Sequence, residues 1–245
     1  MNLRSTAATT IDTMGNLILS PPYGGFGYYH NHGPRTKKVV ALTFDDGPSK
    51  PCSEELLDTL GELNVKGTFF CVGLSVTWHP DVLARAYAEG HIIGNHSMMH
   101  SRKAGLMLTS GAHIDAATHE IEQVIGQRPR LYRPPWGWLT PWEGIRLRQR
   151  GYEVIGWDIY PDDWKLPEVK AELLVEDVYS QIRPGSIILF HDSVSNKIRW
   201  EKKETARAIR MLIPRLRDEG YEVVTVPEML NLPAYGPRHT TPKAH

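Results

Sequence analysis

Short apolar runs alternate with amphipathic stretches from about residue 38 to residue 232. The runs are VVALTF (39–44), GTFFCV (67–72), HIIGN (91–95), LYR (131–133), YEVIGW (152–157), SIILF (186–190) and YEVVTV (221–226). Each is brief, rich in Val, Ile and Phe, and mostly apolar on both faces, the pattern of parallel strands covered by helices. The intervening stretches predict helices. In EELLDTLGELN, Leu56, Leu57, Leu60 and Leu63 fall at helical spacing behind Ser53, which reads as the N-cap. PDVLARAYAEG, HIDAATHEIEQVIG, PWEGIRLRQRG, PEVKAELLVEDVYSQI and KETARAIRMLIPRLRDEG repeat the pattern, and several end in Gly just before the next strand. The alternation predicts a single α/β domain over 38–232. Polar residues cluster at the strand C-termini, which favours a (β/α) barrel of about seven parallel strands with outer helices over an open sheet. Residues 1–37 read as an N-terminal extension with the connector PPYGGFGYYHNHGPR, and 233–245 as a mobile C-terminal tail. The charge run KIRWEKKE reads as a solvated loop.

Composition narrows the class. With 41% hydrophobic and 23% charged residues in 245, disordered and collagen-like chains are excluded. Lys+Arg and Asp+Glu balance at 28 each, which argues against a nucleic-acid backbone or an anionic membrane as partner. No apolar run approaches the roughly 18 residues of a transmembrane helix. Arg4, Asp12 and Asn16 interrupt the first twenty residues, so no signal-peptide core is present there. Cys52 and Cys71 read as buried thiols rather than a bridge, and two cysteines cannot build a four-thiolate zinc site.

The strand ends carry the candidate chemistry. TFDDGP places Asp45 and Asp46 side by side: either an Asx-turn with a solvated neighbour, or a pair projecting apart, one toward a metal and one toward a substrate. HSMMH spaces His96 and His100 at i, i+4, which puts both imidazoles on one face of a helical turn, a metal-ligand spacing that also arises by accident. With Asp46 they make a two-His-one-carboxylate set that leaves positions for water and substrate, as a catalytic metal requires. RPPWG could aim Arg133 at a carboxylate or simply enter a helix with a surface Arg. DDW (Asp162, Asp163, Trp164) reads alone as a solvated turn. FHDS ends a strand on His191, either a packed residue or, paired with an Asp, a general acid.

In that order, TFDDGP, HSMMH, RPPWG, DDW and ILFHD resemble the five motifs of the polysaccharide deacetylase family, carbohydrate esterase family 4, also described as the nodulation-type homology domain. The resemblance covers about residues 38–232 and implies a distorted (β/α) barrel with a groove over the strand C-termini. It implies a divalent metal on Asp46, His96 and His100, most often zinc, with cobalt, nickel or manganese also suited to the ligands. Asp45 becomes the general base with Arg133 as its orienting partner. His191 becomes the general acid, tuned by Asp163, and the Trp136 N–H joins the oxyanion site. Trp164 and Leu189 line an acetyl pocket, and Trp138 and Tyr160 contact substrate. Trp142 and Trp157 are assigned to core packing.

The family's usual motifs differ at three places. Tyr160 stands where an acidic residue is frequent, Trp136 replaces Tyr or Phe, and Trp138 and Thr140 follow the third motif without the frequent Asn. The implied activity is metal-dependent hydrolysis of N-acetyl groups on an N-acetylglucosamine-containing glycan: chitooligosaccharide, chitin or peptidoglycan. An O-acetyl esterase on acetylxylan and a non-catalytic glycan-binding module are the alternatives. The implied location is extracellular or cell-wall associated, with the cytoplasm left open.

Overall fold

The computed structural model describes residues 27–101, 110–165, 169–193 and 203–237. Its strands are β1 (Tyr29–His30), β2 (Val39–Asp45), β3 (Thr68–Cys71), β4 (Ile92–Asn95), β5 (Arg128–Pro129), β6 (Leu131–Tyr132), β7 (Glu153–Ile155), β8 (Ser186–His191), β9 (Glu222–Val224) and β10 (Tyr235–Gly236). The helices are α1 (Cys52–Glu62), α2 (Gly73–Trp78), α3 (Pro80–Ala88), α4 (Ser110–Ile125), α5 (Pro141–Gln149), α6 (Ala171–Gln181), α7 (Lys203–Asp218) and α8 (Val226–Leu230). One eight-stranded parallel sheet runs β1-β7-β6-β4-β3-β2-β8, and β9 pairs with the start of β2 below β3. Bridges His32↔Ser186 and Ile159↔Ile188 close the seam between the two ends of this order. The result is the expected distorted barrel.

Period-two alternation sorts the strand residues. Val40, Leu42, Phe44, Ile188 and Phe190 pack outward with Leu56, Leu57, Leu60, Ile209 and Leu212 of the helices. Ala41, Phe70, Leu131, Ile155, Trp157, Ile187 and Leu189 pack together inside, where Val226 and Met229 of α8 join them. Continued by twos, the inner rows arrive at Asp45, Arg133 and His191. The barrel's own alternation therefore aims these polar groups over its C-terminal mouth.

Several boundaries differ from the sequence reading. β1 lies inside the expected extension and pairs with β7, Tyr29 opposite Val154. β10 lies inside the expected tail: Tyr235 pairs with Pro129, and its hydroxyl accepts the Ile93 N–H at 3.0 Å. Ser53 is the second residue of α1 and does not cap it; the N-cap is Pro51. Residues 197–202 of the charge run lie outside the described residues, and Lys203 and Glu204 open α7. Cys52 and Cys71 are buried free thiols. No helix of the described residues is long and apolar enough to cross a membrane.

Candidate active site

β2 delivers Asp45 to the mouth of the barrel, where the backbone turns through Asp46 at φ 81°. That turn cancels the strand alternation expected to separate the two carboxylates. Asp45 Oδ2 and Asp46 Oδ1 both come to the His96 imidazole, at 3.6 and 3.7 Å from Nε2. The turn is tied down on several sides. The Gly47 carbonyl accepts from the Val72 N–H at 3.0 Å, and the Asp46 carbonyl accepts from Ser75 Oγ at 3.1 Å.

His96 and His100 occupy a loop after β4, not a helical turn, with positive φ at Ser97 (65°) and His100 (48°). These two left-handed residues fold the chain back, so the ring centroids stand 4.9 Å apart. Asn95 organises the loop: its Oδ1 accepts the Ser97 N–H, and its Nδ2 donates to the Ile114 carbonyl and Thr118 Oγ1. His96 Nδ1 lies 2.7 Å from the Arg133 carbonyl, so this nitrogen carries the proton and Nε2 is left as a lone-pair donor. Burial, with His100 adding to it, pushes His96 down to about 3, which keeps it neutral. His100 Nε2 is 3.4 Å from Asp46 Oδ1.

Donor atoms of Asp46, His96 and His100 all lie within 4.8 Å of one another, and among the described residues no other such group of His, Cys, Asp and Glu occurs. Two imidazoles and a carboxylate fit a divalent cation of the zinc type, and three protein ligands leave coordination positions open.

Arg133 is completely buried. Its Nη1 donates to Asp45 Oδ1 at 2.7 Å and Thr43 Oγ1 at 2.9 Å, while Nε and Nη2 donate to the Ile155 and Gly156 carbonyls. The guanidinium lies over the Phe70 ring at 4.1 Å. Burial raises the Asp45 carboxyl above its ordinary value, and Arg133 opposes that shift. Across the β2–β8 register Asp45 is paired with His191. His191 Nδ1 meets Asp163 Oδ1 at 2.8 Å, while Asp163 Oδ2 accepts the His191 N–H and the Thr205 hydroxyl. Asp162 instead pairs at the surface with Lys165.

Around this centre Trp136 sits at φ 62° with its ring 5.3 Å from that of His100. Trp136, Tyr160 and Trp164 are exposed and Leu189 is buried. Trp138 is buried as well, so it has little ring surface to offer a substrate, contrary to the sequence expectation. Trp157 is buried as expected, but Trp142 is 70% exposed and is not a core residue. The sequence reading passed over Asn95, Thr205 and Asp192. The buried Asp192 carboxylate accepts from Gly47 N–H and Ser53 Oγ, and burial pushes it up to about 7. Asn95 and Asp192 were signalled by a polar residue directly at the end of an apolar strand.

Comparison with known proteins gives the same direction. The family model described as polysaccharide deacetylase matches residues 32–154. The peptidoglycan-N-acetylmuramic acid deacetylase PdaC of Bacillus subtilis (strain 168) is 34% identical over 194 residues, 79% of this chain, which spans only 39% of that longer relative. The chitooligosaccharide deacetylase of Bradyrhizobium sp. (strain ANU 289) is 33% identical over 203 residues, 78% of this chain and 90% of the relative. The crystal structure of the Bc1960 peptidoglycan N-acetylglucosamine deacetylase, solved with 4-naphthalen-1-yl-N-oxidanyl-benzamide, superposes with a TM-score of 0.79 at 31% identity, covering 84% of this chain and 94% of that one. Likeness that extends over 90% of the chitooligosaccharide deacetylase in sequence and 94% of the Bc1960 deacetylase in backbone settles the assignment: the chain belongs to the polysaccharide deacetylase family and is an amide-hydrolysing enzyme.

Proposed function

We propose that the enzyme removes N-acetyl groups from a glycan containing N-acetylglucosamine, peptidoglycan or chitooligosaccharide, and releases acetate. One observation carries the reading: Asp45 and His191 are register partners on β2 and β8, each held by its own buried partner, beside a three-ligand cluster. Asp46, His96 and His100 would hold a divalent cation, zinc by preference. Such an ion supplies Lewis acidity to an acetyl carbonyl and to water.

The remaining steps belong to the chain. Arg133 engages Asp45 Oδ1, which leaves Oδ2 to take the proton of the attacking water. The Trp136 backbone N–H is assigned to the developing oxyanion. Asp163 holds His191 by Nδ1, so Nε2 is the nitrogen that protonates the leaving amine. Water thus divides between acetate and a free glucosamine amine. Leu189 and the exposed Trp164 and Tyr160 are assigned to the acetyl group and adjoining sugar. The peptidoglycan substrates that relatives are named for support a site of action at the cell wall.

Acetate release measured side by side on chitooligosaccharides, peptidoglycan and acetylxylan, with and without chelator, tests the proposal. Release from an N-acetylated glycan that stops on chelation and returns with zinc is the expected result. Release from acetylxylan alone, or release unaffected by chelator, would overturn it.

A further inference from the structure

We propose that Asp192 is a positioning residue for this reaction, locking the Asp45–Asp46–Gly47 turn to the strand that carries His191. The inference rests on the roles given above to Asp45, Asp46 and His191. Asp192 directly follows the last residue of β8 and is buried. Among the described residues its hydrogen bonds all go to residues 45–53. The N–H donates to the Asp45 carbonyl at 3.2 Å, and the carbonyl accepts from Ser49 Oγ at 2.9 Å. Oδ1 accepts the Gly47 N–H at 2.9 Å, and Oδ2 accepts from Ser53 Oγ at 2.5 Å. One residue on the acid's strand therefore grips, at several points, the segment that carries the base and a metal ligand.

The fit has no slack. A Cβ on residue 47 would stand 2.0 Å from Asp192 Oδ2, so glycine is needed for the carboxylate to reach the backbone. Ser53, inside α1 rather than capping it, spends its hydroxyl on the same carboxylate. No cation pairs with Asp192 among the described ion pairs, and a buried carboxylate without one is costly. Its hydrogen bonds from the Gly47 N–H and the Ser53 hydroxyl offset part of that cost. What the carboxylate supplies is a fixed distance between two reacting groups, and misplacement by about 1 Å costs on the order of 100-fold in rate.

The test compares Asp192→Ala, Asp192→Asn and a remote core variant of similar melting temperature, Leu174→Ala, whose side chain is buried on α6. Turnover is measured on whichever substrate the wild type deacetylates, and cobalt titration of the metal-free chain reads Asp46 placement independently of substrate. For Asp192→Ala we expect kcat to fall about 100-fold with KM within about 2-fold, and cobalt affinity to weaken about 10-fold. Asn can still accept from Gly47 N–H and donate to Ser53 Oγ, so Asp192→Asn should stay within about 5-fold of wild-type kcat. A loss below about 10-fold for Asp192→Ala relative to Leu174→Ala, or an Asn variant as impaired as Ala, overturns the proposal. Where Asp192→Ala fails to fold, Ser53→Ala serves: kcat lowered several-fold at unchanged KM supports the role, and wild-type kcat overturns it. A wild type that neither binds cobalt nor releases acetate would instead sink the functional reading itself.

Discussion

Asp45 and Asp46 are chain neighbours with different holders. Arg133 claims one oxygen of Asp45, whereas Asp46 faces both imidazoles through Oδ1. Asn keeps the shape of Asp but is a far weaker base and carries no charge. Asp45→Asn should therefore retain metal and lose about 100- to 10,000-fold in kcat. Asp46→Asn should weaken metal affinity first, with activity recovering as zinc is added; equal metal loss in the two variants would refute the division. His91 gives a second prediction at this scale. Its side chain is fully buried, Nδ1 accepts the Gly67 N–H, and burial pushes it down to about 4. The folded state thus favours neutral His91, a contribution present above about pH 6.5 and lost as pH falls toward 4. It amounts to about 3 kcal/mol. Urea unfolding at pH 7, 5.5 and 4.5 should show a shallower loss of stability for His91→Gln than for the wild type.

At the scale of elements, β4 shows how tightly the inner rows are fitted. A Cβ at Gly94 would meet the Phe70 ring at 2.6 Å, and Phe70 lies under the Arg133 guanidinium. Gly94→Ala should cost about 1–3 kcal/mol, and kcat should fall with it because a shifted Phe70 ring disturbs the Arg133 guanidinium stacked on it. A variant with wild-type melting temperature and kcat would contradict this. The same elements show what sequence could and could not disclose. The strands were legible as apolar runs, and the site as polar residues at their ends. The parity that turns Thr43 and Asp45 inward was hidden, because outer and inner rows of β2 are both apolar until the last turn. The loop of His96 was misread as helical because its positive φ values fall on Ser97 and His100, neither of them glycine. Ser53 looked like a cap because its true partner, Asp192, is 139 residues away in the chain. β1 and β10 are two residues each and owe their existence to pairing, not to local pattern.

For the molecule as a whole, the seam between β7 and β8 decides whether the sheet is a closed wall. Residues 28–35 contribute to it directly: β1 on β7, the Gly33 N–H on the Gly185 carbonyl, and Arg35 paired with Asp158 at 2.7 Å. A chain beginning at Lys38 should melt at least about 5 °C below one beginning at Gly27, since each kcal/mol is worth about 2–4 °C at this size. Equal melting temperatures would show the segment to be ornamental. The seam also orders events in time. The Tyr29–His30 strand is made early, yet β7 and Ser186 are synthesised roughly 125 to 155 residues later. At about 5–20 residues per second the wait is on the order of 6–30 s. Throughout it the Tyr29–His30 segment waits for its partners as an unpaired edge, and under the roles proposed above hydrolysis waits equally long, for His191.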